Sequence, residues 1–102
     1  MTEDDLKMQF ELVRQSISVW SADAAHFVGK GSEARQIGTH DTDQIAAAGR
    51  TLEAIRLERK SLAAASALLP AQSDDLARGI EIALNELDLL ERDIGAALDQ
   101  MR

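Results

Sequence analysis

Hydrophobic residues recur alternately three and four positions apart along most of the chain. This heptad spacing places them on one side of an α-helix, in a line that packs on other helices, and we call each such line a seam. The spacing predicts three long helices, over residues 3–28, 42–69 and 74–101, with a loop over 29–41. None of the chain shows the two-residue alternation typical of a half-buried β-strand.

The first seam contains every aromatic side chain of the protein. It consists of Leu6, Phe10, Val13, Ile17, Trp20, Ala24 and Phe27. Truncating a buried aromatic side chain typically costs about 3–5 kcal/mol, so we expect these aromatics to contribute strongly to the core. Thr2 is the predicted N-cap of this helix, and Gly29 and Gly31 are predicted to end it.

The second and third helices have seams of the same kind. The second seam consists of Ile45, Ala48, Leu52, Ile55, Arg59, Leu62, Ser66 and Leu69, and the third of Leu76, Ile80, Ala83, Leu87, Leu90, Ile94, Ala97 and Met101. Asp41 or Thr42 is expected to cap the second helix and Ser73 the third, while Pro70 is expected to end the second. We interpret Arg59 as a side chain whose stem covers apolar surface while its guanidinium reaches water.

These patterns together predict an all-α fold. A chain of 102 residues is long enough for one domain with one core. The short connection after the second helix predicts an antiparallel hairpin. We therefore expect residues 1–102 to form a single helical domain, an antiparallel three-helix bundle with long heptad-patterned helices.

Cysteine is absent from the chain, which excludes disulfides, thiolate metal ligands and cysteine nucleophiles. Residues 3–5 are acidic where a secretory signal would be basic, and no apolar run reaches the roughly 20 residues that span a bilayer. We expect a soluble, cytoplasmic protein.

The formal net charge of -7 disfavours direct binding to nucleic acid or to an anionic membrane. Acidic residues are concentrated in the third helix, whereas the second helix is locally basic. Either the two helices neutralise each other or the acidic helix attracts a basic partner. A phage-type inhibitor that mimics the charge of nucleic acid is a further interpretation, and it requires the acids to lie on one face.

Several large aliphatic residues lie outside the seams. They are Met8, Leu12, Val19, Ile82 and Leu89. Either the apolar arc of each helix is simply wide, or these residues form an interface with a partner protein or with a second copy in a homodimer.

Few residues are candidates for chemistry. His26 and His40 are the only histidines, and although Asp23 lies three residues before His26, neither histidine lies in a metal-binding pattern of histidines and carboxylates. The serines of the first helix have no aligned general base, and the glycines over 29–41 do not form a Walker-type phosphate loop. We therefore expect no metal, no cofactor and no enzymatic activity, and we leave open whether the predicted loop is functional or only a tether.

The segment HFVGKGS at residues 26–32, followed by Ile37 and Gly38, resembles the signature of histidine phosphotransfer domains. These domains are helical bundles in which an exposed histidine accepts a phosphoryl group from a response regulator or a kinase. The resemblance implies that His26 is a phosphoacceptor and that Lys30 neutralises the phosphate. In that family the lysine follows the histidine by three residues, whereas Lys30 follows His26 by four.

Our principal hypothesis is a small acidic helical protein that binds another protein. It would act as an adaptor, antiactivator or inhibitor by covering a surface of its partner, with Met8, Leu12, Val19, Ile82 and Leu89 as the candidate binding residues.

Overall fold

A computed structural model of the protein describes residues 2–38, 40–69 and 72–102. They form three α-helices: α1 over Glu3–Ile37, α2 over Thr42–Ala67 and α3 over Asp74–Met101. The helices pack side by side in a bundle of 52 × 18 × 17 Å, with α1 and α3 parallel and α2 antiparallel to both. The predicted all-α three-helix bundle is confirmed.

Local sequence at the three helix starts accounts for where the helices begin. The Thr2 hydroxyl accepts from the Asp5 N–H at 3.2 Å, and the Asp5 carboxylate accepts from the Thr2 N–H at 3.0 Å. Asp41 caps α2, and Ser73 caps α3, each by accepting from the backbone N–H three residues later. All three predicted caps are therefore present, and each satisfies backbone donors that the helix itself leaves unpaired.

The predicted helix end at residue 28 and the predicted loop over 29–41 are wrong. Helix α1 continues through Gly29 and Gly31 to Ile37, and it ends at Gly38, whose φ of 67° is left-handed. The reason is tertiary, because Gly31 is buried against α3, and this packing outweighs the roughly 1 kcal/mol by which glycine disfavours a helix. The three-and-four spacing in fact continues from Phe27 through Gly31 to Ala34. The link between α1 and α2 is consequently short.

Helix α2 ends two residues before its predicted end. Its last residue is Ala67, and Leu68 is the C-cap. The Gln72 side-chain amide donates to the carbonyls of Ser66 and Leu69, so it closes the turn that follows. The predicted role of Pro70 lies outside the described residues. The bounds predicted for the third helix, 74–101, match α3.

The core is built from the three seams. Leu6, Ile55, Leu62, Leu87 and Ile94 are completely buried. Of the three aromatic residues, only Phe27 is buried, whereas Phe10 and Trp20 are half-buried at the edge of the core. The buried core therefore consists mostly of aliphatic side chains along the bundle axis. The seam residues find their packing partners within the bundle.

Candidate functional site

The five candidate binding residues are all exposed. Met8, Leu12, Val19, Ile82 and Leu89 each keep between 48% and 68% of their accessible surface. None of them belongs to the core cluster. Their surface is available to another protein, and their role in binding one stays a prediction.

The five candidate residues lie on two different surfaces of the bundle. On the α2 side, Gln9 Nε2 lies 3.0 Å from Ser61 Oγ and His26 Nε2 lies 2.8 Å from Gln44 Oε1. Leu12 follows Gln9 by three residues, and Val19 precedes His26 by one heptad, so both lie on this side of α1. Met8 lies one helical turn before Leu12. We call these three residues, Met8, Leu12 and Val19, the α1 stripe.

The other two residues lie on α3, on the side that faces α1. Ile82 lines a groove between α1 and α3, and Leu89 continues its line one heptad later. We call Ile82 and Leu89 the α3 stripe. Because the α1 stripe lies on the opposite side of α1, the five residues form two surfaces rather than one.

The groove between α1 and α3 has a volume of about 570 Å³. It is lined by Phe10, Arg14, Ile17, Ser18, Gly79, Ile82, Ala83 and Glu86. The Phe10 ring packs directly on Gly79, where an added Cβ would lie 2.8 Å from Phe10 Cζ. The Arg14 guanidinium lies 5.7 Å from the Phe10 ring centroid and 3.3 Å from a Glu11 carboxylate oxygen. The groove therefore has an apolar floor, with a cation on its α1 wall and the Glu86 carboxylate on its α3 wall.

Sequence reasoning identified Ile82 but missed Arg14, Gly79 and Glu86 as members of this groove. Each of these looks like an ordinary exposed or half-exposed helix residue when α1 or α3 is considered alone. Gly79 next to the seam residue Ile80 is the only local sign that another helix approaches closely there.

Ion pairs join the basic part of α2 to the acidic part of α3. Arg56 Nε lies 2.9 Å from Glu91 Oε1, Arg59 lies 3.0 Å from Glu91 Oε2, and Arg59 also donates a hydrogen bond to Asp88. The hydrogen bond to Asp88, reinforced by the charges of Glu91 and Asp88, raises the pKa of Arg59 above its usual value. Asp88 and Glu91 are thus neutralised by α2, as one of the two interpretations of the charge distribution predicts. The nucleic-acid mimic, which requires the acids to be collected on one face, stays a prediction.

His26 and Lys30 lie one helical turn apart, because α1 is continuous through Gly29. His26 is exposed, and its Nε2 is engaged by Gln44 Oε1. Lys30 Nζ lies 3.7 Å from a Glu33 carboxylate oxygen. The arrangement supplies an exposed imidazole with a cation nearby, and a phosphoryl group on Nε2 would have to displace Gln44.

The second histidine has a structural position. His40 Nδ1 lies 3.1 Å from the Met101 carbonyl oxygen, so the link before α2 is tied to the end of α3. Within residues 2–38, 40–69 and 72–102, no three His, Asp or Glu side chains are grouped so as to hold a metal ion. None of the helices in this described part combines the length and apolar character that crossing a bilayer requires.

Comparisons of the chain with protein-family models, curated proteins and solved structures find no match.

Proposed function

We propose that this protein binds another protein and acts as an adaptor, antiactivator or inhibitor by covering part of its partner's surface. The observation that supports this proposal is the α1 stripe. Met8, Leu12 and Val19 are more than half exposed on a helix whose seam is already buried against α2 and α3. Large aliphatic side chains that recur along one exposed side of a helix and are not used by the fold are candidates for a protein interface.

The α1 stripe has suitable dimensions and energy for this role. Met8 and Val19 are eleven residues apart, or about 16 Å along the helix at 1.5 Å per residue. Fully burying one such side chain contributes about 1.5–3 kcal/mol, so three anchors supply a substantial part of a micromolar interaction. The net charge of -7 speeds encounter with a basic partner. Absence of cysteine fits a reducing compartment, and we propose the cytoplasm as the location.

A variant that keeps the fold tests this proposal. We expect Leu12→Asp combined with Val19→Asp to weaken partner binding at least about tenfold, because the change places carboxylates in an apolar contact. The matched control is Leu57→Asp on α2, since Leu57 is equally exposed. Partners would be recovered by affinity purification from the native source and quantified by mass spectrometry, after circular dichroism has shown that both variants remain helical. Equal recovery of every partner by the two variants would overturn the proposal.

Phosphotransfer is the second candidate, and the position of Lys30 one turn after His26 favours it. Here the His26 imidazole would attack the phosphorus of a donor phosphoryl group, and the bond from phosphorus to the donor would break. Incubation with a phosphodonor kinase or response regulator should then give an acid-labile label. The label should persist in His40→Gln and be lost in His26→Gln. Absence of label with a cognate donor would end this interpretation.

A further inference from the structure

We propose that the groove between α1 and α3 is a homodimer interface, occupied by the same groove of a second copy of this chain. The two copies lie side by side, with the twofold axis parallel to the helices. This proposal rests on the proposed function in one respect: both assume that exposed aliphatic residues bind protein. It concerns the α3 stripe, whereas the proposed function concerns the α1 stripe.

Charge complementarity across the groove supports a second copy. Phe10 packs on Gly79, so near this contact a residue of α1 lies about level with the residue of α3 whose number is greater by 79 − 10 = 69. Arg14 is therefore level with residue 83, three residues from Glu86, which is about 4.5 Å along the axis. A twofold axis parallel to the helices places α1 against α3 of the other copy without changing these levels. Arg14 then meets Glu86 of the second copy, and the pair occurs twice in the dimer.

The same arrangement also covers the exposed aliphatic residues of α3. The α3 wall presents the large aliphatic side chains of Ile82 and Leu89, both about half exposed. In the dimer, these two side chains pack against α1 of the other copy. The apolar floor around Phe10 and Ile17 is then covered from both sides.

A second copy fits this groove better than a basic helix from another protein does. A uniformly basic helix would pair with Glu86, but on the opposite wall it would meet Arg14, which is itself a cation and already lies 3.3 Å from Glu11. A second copy instead supplies a carboxylate to Arg14 and a guanidinium to Glu86. The net charge of -7 on each copy opposes association at long range. Salt largely screens this repulsion beyond about 8 Å at physiological ionic strength, so the short-range contacts in the groove determine the outcome.

Sedimentation equilibrium of the purified chain tests the proposal across micromolar to millimolar concentrations. We expect reversible dimers of twice the 11.1 kDa monomer mass. Arg14→Glu alone and Glu86→Arg alone should each weaken dimerisation about tenfold or more, because each substitution places like charges opposite one another in both pairs. An equimolar mixture of the two variants should form heterodimers with the wild-type affinity, since both pairs then become attractive again. Leu57→Asp on α2 should leave dimerisation unchanged, and Leu89→Asp should weaken it.

Three results would overturn the proposal: a monomer at every concentration, dimers that neither charge variant weakens, or a mixture of the two variants that associates no better than each variant alone. Recovery in the mixture also shows that both variants are folded. Because the experiment contains no other protein, a negative result leaves partner binding by the α1 stripe intact. Conversely, loss of partner binding in the α1 stripe variant does not affect this result.

Discussion

Gly29 and Gly31 are two residues apart in α1 and have opposite surroundings. A Cβ on Gly31 would lie 3.0 Å from the Ala97 carbonyl oxygen and 2.8 Å from Gln100 Oε1. A Cβ on Gly29 would meet nothing within 4 Å. The Gln100 side chain can move away, but the Ala97 carbonyl belongs to the backbone of α3. Gly31 is therefore the position where α1 and α3 approach most closely near their C-terminal ends.

We predict that alanine at these two positions changes stability in opposite directions. Gly29→Ala should raise the free energy of unfolding by about 0.5–1 kcal/mol, because alanine favours the helix and restricts the unfolded chain. Gly31→Ala should be about 1–3 kcal/mol less stable than Gly29→Ala, because the added methyl forces α1 away from α3. Urea unfolding followed by circular dichroism measures both values. Equal stabilisation by the two substitutions would contradict the close approach at Gly31.

Glu3 joins the first turn of α1 to the N-terminus of α3. Its Oε1 accepts from the Ser73 N–H at 2.7 Å, and this hydrogen bond lowers the pKa of Glu3 below its usual value of 4.5. Because the pKa is lower in the folded state, the stabilisation is present above 4.5 and is lost as the pH falls through the folded-state pKa. The Asp5 carboxylate has a lowered pKa for the same type of reason, through its hydrogen bonds to Thr2.

We predict that Glu3→Gln reduces the loss of stability on acidification. Wild-type protein should lose unfolding free energy below pH 4.5 more steeply than the variant, since glutamine does not titrate. Asp4→Asn, an exposed residue in the same turn, is the control and should retain the wild-type slope. Chemical denaturation over an acid pH series provides the comparison. Identical slopes for Glu3→Gln and wild type would show that the Ser73 contact does not contribute.

At the scale of elements, α3 is the central helix of the bundle. It packs on α1 through Gly31 and Gly79, and it pairs with α2 through Asp88 and Glu91. The ion pairs lie at the edge of the interface, where side chains are partly exposed. Such ion pairs contribute modestly to the free energy of unfolding, so the packing of the seams supplies most of the stability. The charges influence which sides of α2 and α3 face each other.

A double-mutant cycle tests whether Asp88 couples to α2 or to its own helix. We predict a coupling free energy of about 0.5–1 kcal/mol between Arg59→Ala and Asp88→Ala, which decreases in high salt. The control cycle combines Asp88→Ala with Arg92→Ala, a pair at the four-residue helical spacing. In the structure Asp88 pairs with Arg59, so the control cycle should show little coupling. Stronger coupling to Arg92 would indicate that Asp88 does not reach α2.

At the scale of the whole molecule, the bundle is a rod. Its Cα radius of gyration is 15.8 Å, whereas a compact domain of this length has about 13 Å. A bundle of three long helices has a narrow core and therefore exposes a large lateral surface relative to that core. Lateral surface is therefore where association with another chain has most to gain.

Small-angle X-ray scattering distinguishes the two ways in which rods can associate. We predict that the proposed dimer has a larger cross-section than the monomer and nearly the same length of about 52 Å. The monomeric charge variants at low concentration provide the reference curve. A dimer of about twice the monomer length would indicate contact through the ends of the bundle, and it would contradict association through the groove.

Most of the helical architecture could be predicted from the chain alone. The seams follow from spacing within one helix, and the caps at Thr2, Asp41 and Ser73 depend on backbone groups three residues away. Interactions of this range are local, so the sequence contains them directly. The end of α1 was predicted wrongly because Gly31 looks like a helix terminator until α3 is placed beside it.

The chain by itself thus determined the number of helices, their starts and the residues that face the core, because each depends on the period of one helix. Only the tertiary structure decided that α1 continues to Ile37, that Asp88 pairs with Arg59, and that the exposed aliphatic residues fall into two surfaces. These features depend on which sides of different helices meet and at what level along the axis. That geometry is set by packing among all three helices together and is not contained in the spacing of any one of them.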